Sequence, residues 1–266
     1  MSYSRGIVVF LIVLLLSVVC LVSVFGLPES PGTFSILGQD RRAQGTQGFT
    51  DGNVFAGNVT HLSVVGFSIT QSWAGFYGNI SGTIVLDDSF NRTLYNWTLA
   101  DPRGEIYATT SVTINWSGNI TAGQAQAATG YSNLRCWNTF EPSAGLTNLS
   151  ELEDLFDIGA SDVDGIDETF RTGIHAAFVT AAVNFSANSC RATSLFLNTE
   201  LQDTALYQEV ILLDQTNDAV IWTALLSNGS TSGFTGGQTD FEMMVPENGN
   251  GTNTAPTTYY FYVELE

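Results

Sequence analysis

YQEVILLDQTNDAVIWTALL, residues Tyr207 to Leu226, is two apolar, β-branched runs separated by a polar break. Tyr207–Leu213 and Val220–Leu226 each have strand length, and Asp214–Asp218 offers the Asp, Asn and Thr side chains that close turns. The stretch predicts a β-hairpin. Downstream, Phe241–Val245 and Tyr259–Leu265 continue as strands; in the second, Tyr259, Phe261, Val263 and Leu265 fall on one face and Tyr260, Tyr262 and Glu264 on the other. One face is expected to be core and the other partly wet. Upstream, His61–Thr70, Trp73–Leu86, Thr93–Leu99, Glu105–Thr110 and Val112–Trp116 are short, aromatic or β-branched and separated by turn residues. That spacing predicts a mainly β fold of β-sandwich type.

Two stretches depart from the pattern. Ser150-Glu151-Leu152-Glu153 has the Ser-x-x-Glu order of a capping box and leads into Leu155 and Phe156, which predicts a short, peripheral helix. The Ala, Gln and Gly tract 122–130 is a soft boundary between a first β module over 53–121 and a second over 131–266. The pattern Gly-Asn-(Val/Ile)-(Thr/Ser) at Gly57, Gly78 and Gly118 is spaced too irregularly for a solenoid.

Ile7–Gly26 is a run of twenty residues without a charge, which as a helix would reach about 30 Å, the thickness of the hydrocarbon core. Arg5 precedes it and Glu29 follows it, so the positive-inside rule keeps the N-terminus in the cytoplasm and places everything after Gly26 outside. Residues 1–26 are therefore expected to be a single transmembrane helix that anchors the chain. The alternative is a cleaved signal, for which Ser23-Val24-Phe25-Gly26 is a poor site. Arg5-Gly6-Ile7-Val8 also resembles an archaeal prepilin processing site, which would make the chain a subunit of a type IV pilin-like filament beginning at Ile7. From Leu27 to Gly52 the chain is rich in Gly, Pro, Gln and Ser and reads as a flexible stalk.

Beyond the apolar run stand ten Asn-x-Ser/Thr acceptors, at Asn58, Asn79, Asn91, Asn96, Asn115, Asn119, Asn148, Asn184, Asn228 and Asn250. With 18 Asn in the chain and Ser plus Thr near one residue in five, chance would supply about four. The excess points to an N-glycosylated exterior. Cys20 lies in the apolar run, which leaves Cys136 and Cys190 as the exported pair, and an oxidising exterior favours a disulfide between them over free thiols.

The charge balance narrows the partners. Against 26 Asp and Glu stand eight Arg and no Lys, for a net charge of -18, so nucleic acid and anionic headgroups are repelled. With only His61 and His175, and no HExxH, GxSxG or phosphate loop, the sequence supplies few tools for an enzyme, and the remaining route is an unidentified carboxylate pair of glycosidase type. Neither histidine has a ligand partner at metal spacing. Asp162, Asp164 and Asp167, around Gly165, are the one local carboxylate cluster suited to calcium, although Gly165 sits wrongly for an EF-hand. The alternative is a solvated acidic turn. Trp73, Phe76, Tyr77, Tyr95, Trp97, Tyr107 and Trp116 would serve either a core or a sugar-stacking surface.

GNVTHL at Gly57, SWAGFYGNISGTIVLDD at Ser72, LYNWTLADPRGEIYATT at Leu94, FEMMVPENGNGT at Phe241 and TTYYFYVEL at Thr257 give the chain a texture that resembles a group of archaeal surface proteins with no assigned activity. The resemblance implies an envelope location with Asn-linked glycans, and it brings no functional residues. The expected function is a non-enzymatic surface glycoprotein with a structural, display or adhesion role, tethered to the cell membrane and meeting other envelope proteins or glycans. A secreted carbohydrate-binding or carbohydrate-active protein is the alternative.

Overall fold

A computed structural model describes residues 27–42, 55–64, 66, 68–99, 102–117, 133–137, 149–200, 206–227, 232–247 and 255–266. The expected anchor helix and the 122–130 tract lie outside them. Among the described residues no helix is long and apolar enough to cross a membrane. The chain is mainly β, with several sheets.

The hairpin within residues 207–226 is its centre. Strands β9 (Gln208–Asp214) and β10 (Ala219–Leu225) pair antiparallel from Ala219↔Asp214 to Ala224↔Glu209. Strand β4 (Gly104–Thr109) adds to β10, and β12 (Tyr260–Leu265) adds to β4. The outer edge of β9 is shared by two three-residue strands, β5 (Leu134–Cys136) on Leu212–Asp214 and β8 (Ala192–Ser194) on Gln208–Val210. Six strands thus make one antiparallel sheet in the order β12-β4-β10-β9-β5, with β8 beside β5. Strands from both sides of the 122–130 tract lie in this sheet, so the two modules read from composition share one framework.

Both faces of the sheet are covered, which explains why β9 and β10 read as continuous apolar runs rather than alternating ones. On one face Ile211, Leu213, Val220 and Trp222 meet β11 (Phe241–Pro246), through Met243 and Val245, and two short helices, α1 (Leu149–Leu155) and α2 (Ile166–Thr169). Strand β1 (Trp73–Gly78) pairs with β11, from Trp73↔Pro246 to Gly78↔Phe241, across more than half of the chain. Trp73 crosses Trp222 edge to face at 5.9 Å and lies tilted against Phe170 at 6.1 Å. On the other face Tyr107, Val210, Leu212 and Ile221 pack against Phe178 and Phe185 of a small hairpin, β6 (Phe178–Thr180) with β7 (Val183–Phe185).

Several expectations change. The predicted helix forms over Leu149–Leu155, but Leu149, Leu152 and the following Phe156 are buried in the main core, so it is not peripheral. Ser150 lies inside it, and Glu153 does not close a capping box but accepts from the Asp167 N–H at 3.0 Å. His61–Thr70 forms no strand among its described residues, and Leu62 and Val64 stay exposed. Trp73–Leu86 divides into β1 and β2 (Thr83–Asp87), and Val112–Trp116 is a loop. The start of the expected stalk is tied to the body: Glu29 and Val263 exchange backbone hydrogen bonds of 3.0 and 2.9 Å, and Phe34 stacks on Phe261 at 5.1 Å, while Ile36 and Leu37 are exposed.

Candidate functional site

Three carboxylates meet where α1 approaches α2. Glu153 projects from α1, Asp167 and Glu168 from the first turn of α2, and an oxygen of each lies within 4.8 Å of one from each of the others. Glu153 is fully buried. The Asp167 N–H holds its Oε1, and Glu153 Oε2, Asp167 Oδ1 and Glu168 Oε2 are buried without a hydrogen-bond partner. Gly165 makes the approach feasible, because a Cβ there would stand 2.5 Å from both Glu153 Oε1 and Glu168 Oε2. Burial first, and then the carboxyl of Asp167, push Glu153 above the usual carboxylate range; Glu168 is raised chiefly by the neighbouring carboxyl of Asp167 and opposed by Arg171.

Of the calcium ligands read from the sequence, only Asp167 belongs to this group. Asp162 Oδ2 accepts from the Gly159 N–H at 2.9 Å, and Asp164 Oδ2 from the Thr70 hydroxyl at 2.5 Å, while the Asp164 carbonyl accepts from Trp73 Nε1 at 2.6 Å. Those two carboxylates fasten their loop. Sequence spacing could not find Glu153, which comes from the preceding helix.

A second feature projects from the body. Strands β2 and β3 (Thr93–Thr98) form an isolated two-stranded sheet in which every residue is exposed. The register Ile84↔Trp97 and Leu86↔Tyr95 places four apolar side chains on one face, and Thr83↔Thr98 and Val85↔Asn96 put a glycan acceptor on the other. Tyr95 and Trp97 lie with ring centroids 4.8 Å apart, 58% and 49% exposed. The tip is firmly closed: Asp88 Oδ1 accepts from the N–H groups of Phe90 and Arg92 at 2.9 and 3.0 Å, and its Oδ2 pairs with the Arg92 guanidinium at 2.6 Å. The Arg92 hydrogen bonds hold the Asp88 carboxyl below its usual range. Asn91, another acceptor, occupies the left-handed region at φ 58°, a conformation that Asn tolerates in turns.

Six of the ten acceptors are described. Asn58, Asn79, Asn91, Asn96 and Asn184 are exposed; Asn115 is not. Its Nδ2 donates to Thr216 Oγ1 at 3.1 Å, its Oδ1 accepts from Ser117, and its backbone N–H donates to Asp214 Oδ2 at 2.7 Å beside the partly shared partner Asn133. A glycan must be attached through Nδ2, the atom already used. Glycopeptide mapping is therefore expected to find carbohydrate at the five exposed positions and a bare Asn115; full occupancy of Asn115 in folded protein would refute that reading. Asn119, Asn148, Asn228 and Asn250 lie outside the described residues.

Cys136 and Cys190 form the expected disulfide, with Cα atoms 4.9 Å apart. It sits where β5 and β8 meet end to end on β9. His175 supports the same corner and is buried: its Nδ1 donates to the Ala176 carbonyl at 2.6 Å and its Nε2 accepts from the Cys190 N–H at 2.8 Å. Both nitrogens are spent on backbone, and burial lowers its pKa. His61 is exposed.

The chain also converges two carboxylates in its interior. Glu105 and Glu264 are register partners on β4 and β12, 3% and 2% exposed, and the Tyr107 hydroxyl lies 3.3 Å from Glu105 Oε2 and 2.8 Å from Glu264 Oε2. The Ala181 N–H also donates to Glu264. The Tyr107 hydroxyl also lies 3.2 Å from Thr180 Oγ1, so its one proton is shared among three acceptors. Burial, reinforced by mutual repulsion and Glu266, pushes Glu105 well above the carboxylate range, and burial raises Glu264 in the same direction. The pair is sealed beneath β6 and β7 rather than open to a substrate.

No family model, curated protein or solved structure matches the chain.

Proposed function

We propose that the protein is a non-enzymatic, N-glycosylated surface protein with a display or adhesion role. In this reading it is tethered to the cell membrane by residues 7–26 and carries its β-sandwich outward. The observation that favours this is the placement of the acceptors: five of the six described are exposed, namely Asn58, Asn79 just after β1, Asn91 and Asn96 on the β2–β3 hairpin, and Asn184 on β7. A disulfide at the sheet edge accords with an oxidising exterior.

Protein purified from its own cells provides the test. Recovery with membranes, a mature N-terminus at Met1 or Ser2 and glycans at the exposed acceptors are expected; unmodified asparagines at all five would overturn the reading. An N-terminus at Ile7 in sheared filaments would instead select the pilin-like alternative.

A second reading, binding of a neutral carbohydrate as an adhesion contact, is favoured by the β2–β3 hairpin. Ile84, Leu86, Tyr95 and Trp97 make an uncharged face, its aromatic rings can stack on the apolar faces of sugars, and the acceptor Asn96 points its glycan to the other side. Trp97→Ala is expected to weaken retention on a neutral polysaccharide by about tenfold, equivalent to ~1.4 kcal/mol. Equal retention by wild type and variant would defeat this reading, and concentration-dependent self-association lost in the variant would assign the face to a second copy.

A further inference from the structure

We infer that Glu153, Asp167 and Glu168 form a site for a hard divalent cation, calcium in particular, that clamps α1 to α2. Three anionic side chains converge within 4.8 Å, and oxygens of all three are buried with no protein donor to meet them. Arg171 acts on Glu168, and among the described residues no side-chain cation hydrogen-bonds Glu153 or Asp167. A buried carboxylate oxygen without a partner is costly, more so when charged, so the arrangement calls for a positive ligand or for protons.

The ligand set selects the ion. Calcium holds carboxylate oxygens at about 2.3–2.6 Å, so its ligands lie on a sphere roughly 4.6–5.2 Å across, and oxygens within 4.8 Å of one another are compatible with that sphere. Magnesium dehydrates reluctantly and is usually held by one or two carboxylates, so three protein carboxylates favour calcium. All three ligands are hard oxygens, and the cluster contains no His or Cys that would favour a transition metal. The site is also prearranged: the Asp167 N–H orients Glu153 through Oε1, and Gly165 leaves room for both glutamates.

The consequence is structural. Glu153 belongs to the helix that buries Leu149 and Leu152, while Asp167 and Glu168 flank Ile166 and Phe170 of the same core, so a bound ion would join the loop 156–165 at both ends. Shared protons are the competing solution and make the opposite prediction, because they need no metal.

The test is thermal unfolding of the full glycosylated chain, stripped with chelator and then given calcium chloride. At a calcium concentration about 100-fold above Kd, the melting temperature should rise by roughly 5 °C or more, and magnesium at the same concentration should do less. Glu168→Gln and Asp167→Asn should each weaken calcium binding at least about tenfold by titration calorimetry. Without calcium these variants should melt at or above the wild-type temperature, since each removes one repelling carboxylate; that readout separates a lost ligand from a damaged fold. A wild-type melting temperature unmoved by calcium, or variants that respond as wild type does, would overturn the site in favour of shared protons.

Discussion

Replacing Cys136 and Cys190 together by alanine is expected to lower the unfolding free energy by about 4 kcal/mol, the chain-entropy value for a loop of this size. The cysteines are 54 residues apart, and their bond lies where the outer edge of β9 passes from β8 to β5. Each of those strands is only three residues long, so its ladder hydrogen bonds alone hold it weakly. Between them the Trp137 N–H donates to the Ile211 carbonyl at 2.8 Å, and the Ile211 N–H to Arg191 at 3.3 Å. Without the covalent link both strands can leave β9, exposing Leu134 and Ala192 from the second core. Calorimetry should show a melting temperature lower by roughly 10 °C, and hydrogen exchange should speed first in β5 and β8. A double variant within about 1 kcal/mol of wild type would show that packing alone secures the edge.

The second large effect is with pH. Glu105, Glu264 and Glu209 are buried carboxyls, each raised above the usual range primarily by desolvation; Glu209 is fully buried, with Oε2 accepting from the Met244 N–H at 2.8 Å and Oε1 unpartnered. In the unfolded chain such groups titrate near 4.3. Between that pH and their higher folded values the native state binds more protons than the unfolded one, so stability falls as pH rises. Their contribution is fully present below the unfolded value and is lost as pH rises through the folded values. His175 has the opposite sign, since burial lowers its pKa: its contribution is full above its ordinary value and is lost as pH falls through the folded one. Three carboxyls outweigh one imidazole, and the protein is expected to melt at least about 5 °C higher at pH 5 than at pH 7.5.

The net charge of -18 acts in the same direction, because titration toward acid relieves self-repulsion. A Glu105→Gln, Glu264→Gln double variant separates the two causes. It removes the buried pair but only two of many charges, so it should be more stable than wild type at pH 7.5 and have a flatter profile. A melting temperature that rises from pH 5 to pH 7.5, or a variant profile parallel to wild type, would mean that Glu105 and Glu264 are not the cause.

Local pattern carried a good part of the structure. The β9–β10 hairpin was legible because its partners are adjacent in the chain and polar turn residues separate two apolar runs. The helix at Leu149–Leu155 was legible from the Ser150-Glu151-Leu152-Glu153 order leading into Leu155 and Phe156, although the capping box itself does not form, and its burial was not legible, since such a local signal does not report the depth at which a helix packs. The disulfide followed from counting thiols beyond the apolar run. Glu264 shows the limit: alternation assigns it to the wetter face of β12, yet the β6–β7 hairpin covers that face and makes it one of the more deeply buried acids.

What the amino-acid sequence determined by itself was therefore the β class, the central hairpin, the cysteine pair, the anionic balance and the excess of glycan acceptors. Each depends on composition or on contacts a few residues apart. Tertiary structure alone decided that β1 joins β11, that β4 lies between β10 and β12, that Asn115 is occupied by Thr216, and that Glu153 meets Asp167 and Glu168. Those outcomes depend on which distant segments share a surface, and on whether a second layer covers a face that the strand pattern would leave in water.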